Sequence, residues 1–231
     1  MDGQVKNMAQ RHEEKYIIDY RQYSLLRSRC MGALIPDPHG CNGSYVINSI
    51  YYDDPLNNAL YEKLDGLPEH SKFRVRTYDY SDRVINLERK DKNGIMTHKL
   101  SSGIAREQIP LLQGTSTEPM VFSERSRDLI TQIRAKELRP VVTVRYVRDA
   151  FLFEGTDLRL TFDTHLEAIV PDIESLFDPT FSGIPVLDHN SVIMEIKYGA
   201  YLPAFIRKLT DISCKQLSVS KYALCRERLV R

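Results

Sequence analysis

The sequence predicts an α+β fold organised around one large, mainly antiparallel β-sheet or barrel, and three observations lead there. Strand-like runs recur from one end of the 231 residues to the other. Helical patches fall between and after those runs instead of alternating with each of them. Several runs alternate charged with apolar residues, so that one strand face is polar and the other apolar. The length suits a sizeable core. With no linker, low-complexity tract or internal repeat, residues 1–231 read as a single domain.

Taken in order, EEKYIID (13–19) is the first strand. YRQYSLLRSRCMGAL (20–34) follows as a helix, with Tyr23, Leu26, Cys30 and Leu34 on one face at helical spacing. SYVINSIYYD (44–53) is the second strand. Asp54 and Pro55 supply an N-cap and an N1 proline for the short helix LNNALYEKL (56–64), which Gly66 closes. KFRVRTYDY (72–80), RVINLERKD (83–91) and GIMTHKLSS (94–102) are strands, and SERSRDLITQIRAKEL (123–138) is a solvated amphipathic helix ahead of Pro140. PVVTVRYVRDAFLFE (140–154), DLRLTFDTHLEAI (157–169) and SVIMEIKYG (191–199) complete the strands. AFIRKLTDI (204–212) and SVSKYALCRERLV (218–230) form a helical C-terminus.

Lys plus Arg number 32 and Asp plus Glu 31, a net charge of +1, which argues against a general basic coat for nucleic acid or anionic lipid. Any anion site must come from local clustering. Cys30, Cys41, Cys214 and Cys225 form no CxxC pair and no metal-ligand spacing with histidine, which suits a reduced, cytoplasmic chain. MDGQVKNMAQRHEEK lacks the apolar core of a signal peptide. No run approaches the roughly 18 apolar residues of a membrane span. The expectation is a chain that does not itself cross a membrane, with peripheral docking on a membrane partner left open.

Clustering is what the strands offer. As a strand, SKFRVRTYDY puts Lys72, Arg74, Arg76 and Tyr78 on one face and Phe73 and Val75 on the other. Neighbouring cations then stand about 7 Å apart along the strand. Asn93-Gly94 predicts a two-residue type I′ hairpin, with Lys92 opposite Ile95, Lys90 opposite Thr97 and Glu88 opposite Lys99. Glu88 is then an ordinary structural partner of Lys99. Arg11, Glu13 and Lys15 share a face, as do Arg159, Thr161 and Asp163, and Glu195 and Lys197. In an open sheet these faces are simply wet. If the sheet closes with them inward, the result is a basic tunnel that repels itself until a polyanion enters, helped by a few carboxylates and a divalent metal. A linear chain of phosphates is the obvious guest.

The segments RHEEKYII, SIYYDD, YEKLDG, KFRVRTY, LERKDKNG, YVRDAF, LRLTFDT, MEIKYG, LPAFI and SKYAL run in this order through nearly the whole chain. Together they resemble the vacuolar transporter chaperone (VTC) domain, the polyphosphate polymerase branch of the triphosphate tunnel metalloenzymes. The resemblance implies a closed β-tunnel with flanking helices that binds ATP and polyphosphate. It also implies transfer of the terminal phosphoryl group of ATP to the growing chain, with Mn²⁺ or Mg²⁺. Matched by motif, Lys15, Arg74, Arg76, Lys90, Lys99, Arg148, Arg159, Lys197 and Lys221 become phosphate ligands, and Glu195 the metal carboxylate. The expected catalytic set is Arg74, Arg76, Lys90 and Lys197. Arginine forks suit orientation of the triphosphate, and lysines act as point charges along the chain path.

One departure stands out. The family's hydrolases and cyclases open with Glu-x-Glu-x-Lys, whereas this chain has Arg11-x-Glu13-x-Lys15. That weakens the reading as a metal-dependent triphosphatase. A polyphosphate-binding module without activity is the other alternative. Glu13 is left open between metal and its neighbouring cations, and Asp163 between support of a metal and a partner for Arg159. Arg145, on the strand face opposite Arg148, is expected at the surface. Tyr51, Tyr52 and Asp53 are read as core and cap, and the six histidines as structural.

Overall fold

The computed structural model describes residues 12–94, 96–114 and 122–230. Arg11 and Ile95 lie outside the described residues, and so does the expectation for Arg11, whereas Lys92, expected opposite Ile95, pairs with Thr97. In chain order the elements are β1 (His12–Asp19), α1 (Tyr20–Ala33), β2 (Ile35–Pro36), β3 (Ser44–Asp53), α2 (Asn58–Leu64), β4 (Glu69–Tyr78), β5 (Ser81–Asn93) and β6 (Met96–Gly103). There follow α3 (Glu124–Ala135), β7 (Arg139–Leu152), β8 (Arg159–Ile169), β9 (Ile184–Pro185), β10 (Ser191–Tyr198), α4 (Ala204–Leu209), β11 (Lys215–Gln216) and α5 (Lys221–Val230). Among the described residues no helix is long and apolar enough to cross a membrane.

All strands join one antiparallel sheet in the order β11-β1-β10-β8-β7-β3-β4-β5-β6, with β2 on β7 and β9 on β8. The mainly antiparallel sheet matches the expectation; closure does not. Among the described residues no backbone pairing joins the two ends of the order. The sheet nevertheless curls far enough that Lys90 of β5 reaches Glu13 of β1, 3.3 Å away. The seam is filled by the segment leading into α5 rather than by a ladder. Leu217 donates its N–H to the Lys15 carbonyl (2.8 Å), and Ser218 and Ser220 accept from Lys63 (2.9 Å) and Lys72 (3.2 Å).

The outer sheet face is apolar and covered by helices. Asp19 caps α1 reciprocally with Gln22, and the stripe holding Leu26 and Cys30 packs with Phe151, Leu160, Phe162 and Met194, joined by Ile206 of α4. On the other half, Leu129, Ile130 and Ile133 of α3 pack against Ile50, Phe73, Val75 and Leu87, with Ser123 as N-cap. α5 lies on the inner face. Tyr222, Ala223 and Cys225 pack there with Ile47, Val144, Leu166 and Ile193, so hydrocarbon closes one end of the curl.

Two local expectations need correction. α2 starts at Asn58, because Asp54 is consumed by a turn through the Leu56 and Asn58 N–H groups. Asp53 instead accepts from the Ala59 and Leu60 N–H groups. In the hairpin, Asn93 pairs with Met96, so the turn moves one residue on, with Gly94 at φ +58°. Glu88 therefore faces Ser101, and Lys99 faces Lys90. The shift displaces partners by two residues, an even number, so every side chain keeps its face.

Candidate functional site

Directly paired residues share a sheet face, and the registers assemble one continuous polar wall. Tyr51 pairs with Arg74 and Arg74 with Glu88; Ser49 pairs with Arg76; Asp163 with Arg148; Glu195 with both Lys15 and Thr161; Lys197 with Glu13 and Arg159. This wall, the start of α5 and residues 216–220 enclose a cavity of about 710 Å³. Lys15, Arg74, Arg76, Lys90, Arg148, Glu195, Lys197 and Lys221 line it. Side chains from β1, β4, β5, β7, β10 and α5 thus meet in one place.

Most of these cations are held by carboxylates. Glu88 takes Arg74 (2.6 Å to Nε) and Lys99 (2.5 Å). Asp163 takes Arg148 through two bonds, 2.6 and 2.8 Å, and Lys221 at 2.5 Å. Glu13 holds Lys15 (2.5 Å) and Lys90 (3.3 Å), while Glu195 pairs with Lys197 and lies 3.9 Å from Lys15. Burial alone would raise the Glu88 and Glu13 carboxyls. Arg74, Arg76 and Lys99 hold the first at about 2, and Lys197, Lys15 and Lys90 hold the second at about 2 despite the nearby Glu195. Against the same burial penalty, Lys197, Lys221, Lys15 and Arg148 keep Glu195 well below the usual carboxylate range.

Arg76 is the exception. The residue is 8% exposed, yet its guanidinium bonds only neutral oxygens, Ser49 at 3.0 Å and Tyr146 at 3.3 Å. No described carboxylate lies within ion-pair distance of it. Glu88 offsets its charge only from beyond ion-pair distance, which leaves the Arg76 fork itself on neutral partners.

Two sequence-predicted ligands sit apart from the cavity lining. Lys99 is half-exposed on Glu88. Arg159 faces inward but is taken by Asp37 (2.6 Å) and the Tyr45 hydroxyl (2.5 Å). Asp163 accordingly serves Arg148 and Lys221, not Arg159. Glu88 reaches Arg74 as well as Lys99, so it belongs to the cavity wall and not to the hairpin alone. Arg145 is on the face opposite Arg148, as expected, but is 7% exposed rather than at the surface. The loop through Ser175, Asp178 and Phe181 covers it with backbone carbonyls.

Sequence reasoning gave no site role to Lys63, His70, Lys92, Tyr146 or the strip 216–220, left Lys72 unassigned and read Tyr51 as core, though all line the cavity. Lys72 and Lys92 were signalled by the same alternation that gave Arg74 and Lys90; Lys63 carried no signal.

Tyr51 and Lys72 add a pH response. Burial would raise the Tyr51 phenol, but Arg74, Arg76 and Lys72 bring it down to about 8. Burial, then Lys63, Lys15 and Lys90 against the opposing pull of Tyr51, brings the Lys72 ammonium down to about 8. Both groups lose positive, or gain negative, charge as pH rises through that value. A bound anion favours the protonated form of each, so the complex holds more protons than the free protein. Tripolyphosphate affinity should therefore be full below about pH 8 and fall above it, by up to roughly tenfold per pH unit for each proton taken up on binding. Titration calorimetry from about pH 7 to about pH 9.5 checks this, and Lys72→Met should flatten the slope.

A divalent cation fits the donor set. Glu195 and Glu13 offer hard oxygens on paired strands around one lysine, and the buried Thr161 hydroxyl opposite Glu195 has no hydrogen-bond partner among the described residues. Among those residues no three His, Cys, Asp or Glu side chains are grouped to hold a metal. Phosphate oxygens and water would complete the shell, as Mg²⁺-like ions prefer.

The family model for the VTC domain matches residues 10–230. Vacuolar transporter chaperone complex subunit 4 of Trypanosoma cruzi (strain CL Brener) is 28% identical over 167 residues, 67% of this chain and 20% of that protein. The chain thus spans about a fifth of the length of this curated relative. Among solved structures, a candidate adenylate cyclase from Bacillus halodurans aligns with a TM-score of 0.53 at 13% identity, over 91% of this chain and 95% of the other. The PH1819 protein of Pyrococcus horikoshii OT3 aligns with a TM-score of 0.51 at 12% identity, over 94% and 99%. At such identities these two likenesses speak to the fold alone.

Proposed function

The chain belongs to the VTC domain family, and on that premise we propose that it is an ATP-dependent polyphosphate polymerase. The observation that carries the reading is Arg76, a buried arginine with no described carboxylate within ion-pair distance, on the same strand as Arg74 and joined through the Tyr146 side chain to Arg148. Arg76 offers the triphosphate of ATP a fork that no carboxylate occupies, and Arg74 and Arg148, whose forks face Glu88 and Asp163, add positive charge and their remaining N–H groups. An ionised oxygen of the chain's terminal phosphate attacks the γ-phosphorus in line. The new P–O bond forms as the bond from that phosphorus to the β–γ bridging oxygen breaks, and ADP leaves with the electron pair. No side chain acts as nucleophile. Lys90, Lys197 and Lys15 offset charge on the transferring group, which is the main demand of phosphoryl transfer.

Glu195, with Glu13, would hold Mn²⁺ or Mg²⁺, which when bound supplies charge neutralisation at the phosphate oxygens. Lys15 and Lys197, which now occupy those carboxylates, would then turn to phosphate.

The test is purified protein with ATP and Mn²⁺ or Mg²⁺, read by gel staining for polyphosphate and by phosphate release. Chains with little free phosphate are expected. Phosphate release without chains would make it a triphosphatase, and binding without either product a polyphosphate-binding module.

A further inference from the structure

Helix α5 opens on the cavity, and its first turns are fastened to α2. Ser220 caps it, the carbonyl accepting from the Leu224 N–H at 3.0 Å and the hydroxyl from the Ala223 N–H at 3.4 Å. Tyr222, 2% exposed, donates its hydroxyl to Asp53 at 2.5 Å, and that carboxylate also accepts the Ala59 and Leu60 N–H groups at the start of α2. One turn further on, Arg226 donates to the Asn57 side chain at 2.5 Å. Two ties one turn apart thus fix α5 against α2. The Tyr222 ring is held in turn against the Tyr51 ring, with 5.1 Å between centres.

Lys72 lies over the Tyr222 ring, its Nζ 5.0 Å from the centre and 3.2 Å from the Ser220 hydroxyl. The surroundings oppose a positive charge there. Lys63 of α2, Lys15 of β1 and Lys90 of β5 repel it, His70 stands two residues back on its own strand, and the N-terminal end of α5 is itself partly positive. Among the described residues no carboxylate lies within ion-pair distance of Lys72; Glu62 of α2 and the Tyr51 phenol of β3 act on it from further away. The direct contacts that favour the ammonium are the Ser220 hydroxyl and the electron-rich face of Tyr222. We propose that Tyr222 is a positioning residue of the cavity: its ring holds Lys72 in place and charged for the bound phosphates, while its hydroxyl fastens α5 to α2. The proposal rests on the polymerase reading only in requiring that a triphosphate binds here. The two roles are separable, because packing against Tyr51 keeps the ring in place without the hydroxyl.

The test is calorimetric titration of the intact chain with tripolyphosphate from about pH 6 to about pH 9, comparing Tyr222→Leu with Tyr222→Phe. Without the ring Lys72 gives up its proton more readily, so in Tyr222→Leu the pH at which affinity begins to fall should move down by about half a pH unit to one pH unit. Affinity at about pH 8 should then be several-fold lower, yet within about twofold at about pH 6, where Lys72 is charged in either protein. Tyr222→Phe should keep the unmodified pH profile and lose only a few degrees of melting temperature, roughly the effect of one buried bond taken from Asp53. In a Lys72→Met background Tyr222→Leu should move the profile no further. Tyr222→Phe with the ring progressively fluorinated preserves the shape and withdraws electron density, and it should reproduce the downward move in steps. Affinity lowered equally at every pH in Tyr222→Leu, the same displacement in Tyr222→Phe, a displacement that persists in Lys72→Met, or no trend with fluorination overturns the role of the ring. An unmodified protein that binds no tripolyphosphate overturns the polymerase reading and this role with it, a result distinct from failure of the variants.

Discussion

Arg76→Ala should lose roughly 100-fold in tripolyphosphate affinity, about 3 kcal/mol, while the ligand-free protein keeps its melting temperature within a few degrees. The affinity loss follows from removing a fork whose two charge-assisted bonds contribute about 1.5–3 kcal/mol each. The retained stability follows from Arg76 bonding only the Ser49 and Tyr146 hydroxyls, while Glu88, which it helps to keep ionised from beyond ion-pair distance, retains its direct partners Arg74 and Lys99. Arg74→Ala is the contrast. It should lose comparable affinity but also destabilise the fold, because Glu88, 1% exposed, would keep Lys99 as its one direct ion-pair partner among the described residues, with Arg76 acting only from further away. Breaking such a buried pair costs about 3–5 kcal/mol. Arg76→Lys, which keeps the charge without the fork, should fall between. Equal destabilisation by Arg74→Ala and Arg76→Ala would show that Arg76 is compensated in solution.

Glu195→Gln should separate binding from turnover. Removing a buried negative charge frees Lys197 and weakens the hold on Lys15, which stays on Glu13, so tripolyphosphate should bind as tightly or more tightly. Chain synthesis should nonetheless fall by about 100-fold or more, equivalent to about 3 kcal/mol of transition-state stabilisation lost with the divalent ion. Steady-state kinetics with the metal concentration varied decides it. An unchanged rate removes Glu195 from metal binding.

The inward face was legible in the sequence because side-chain alternation has a period of two, and parity survives small errors of register. The hairpin turn moved from Asn93-Gly94 to the next residue, yet Glu88, Lys90 and Lys99 stayed on one face. Partners were less legible, since they depend on segments far away in the chain. Asp37, more than a hundred residues from Arg159, takes its guanidinium, and Asp163 goes to Arg148 and to Lys221 of α5. Arg145 had the right face but the wrong exposure, because its cover is an irregular loop with no periodic signal. Closure was over-read for a related reason. Alternation shows that a sheet has a polar side, and the curl it adopts here ends in side-chain and loop contacts between β1, α2 and β4 rather than a ladder.

The account depends on an anion site built before any anion arrives. Saturating tripolyphosphate, added to the unmodified protein near neutral pH, should raise its melting temperature; at 100 times the dissociation constant the gain is about 2.7 kcal/mol of folded-state stability. A melting curve that does not move at saturating tripolyphosphate would contradict the central claim, whatever the protein does with ATP.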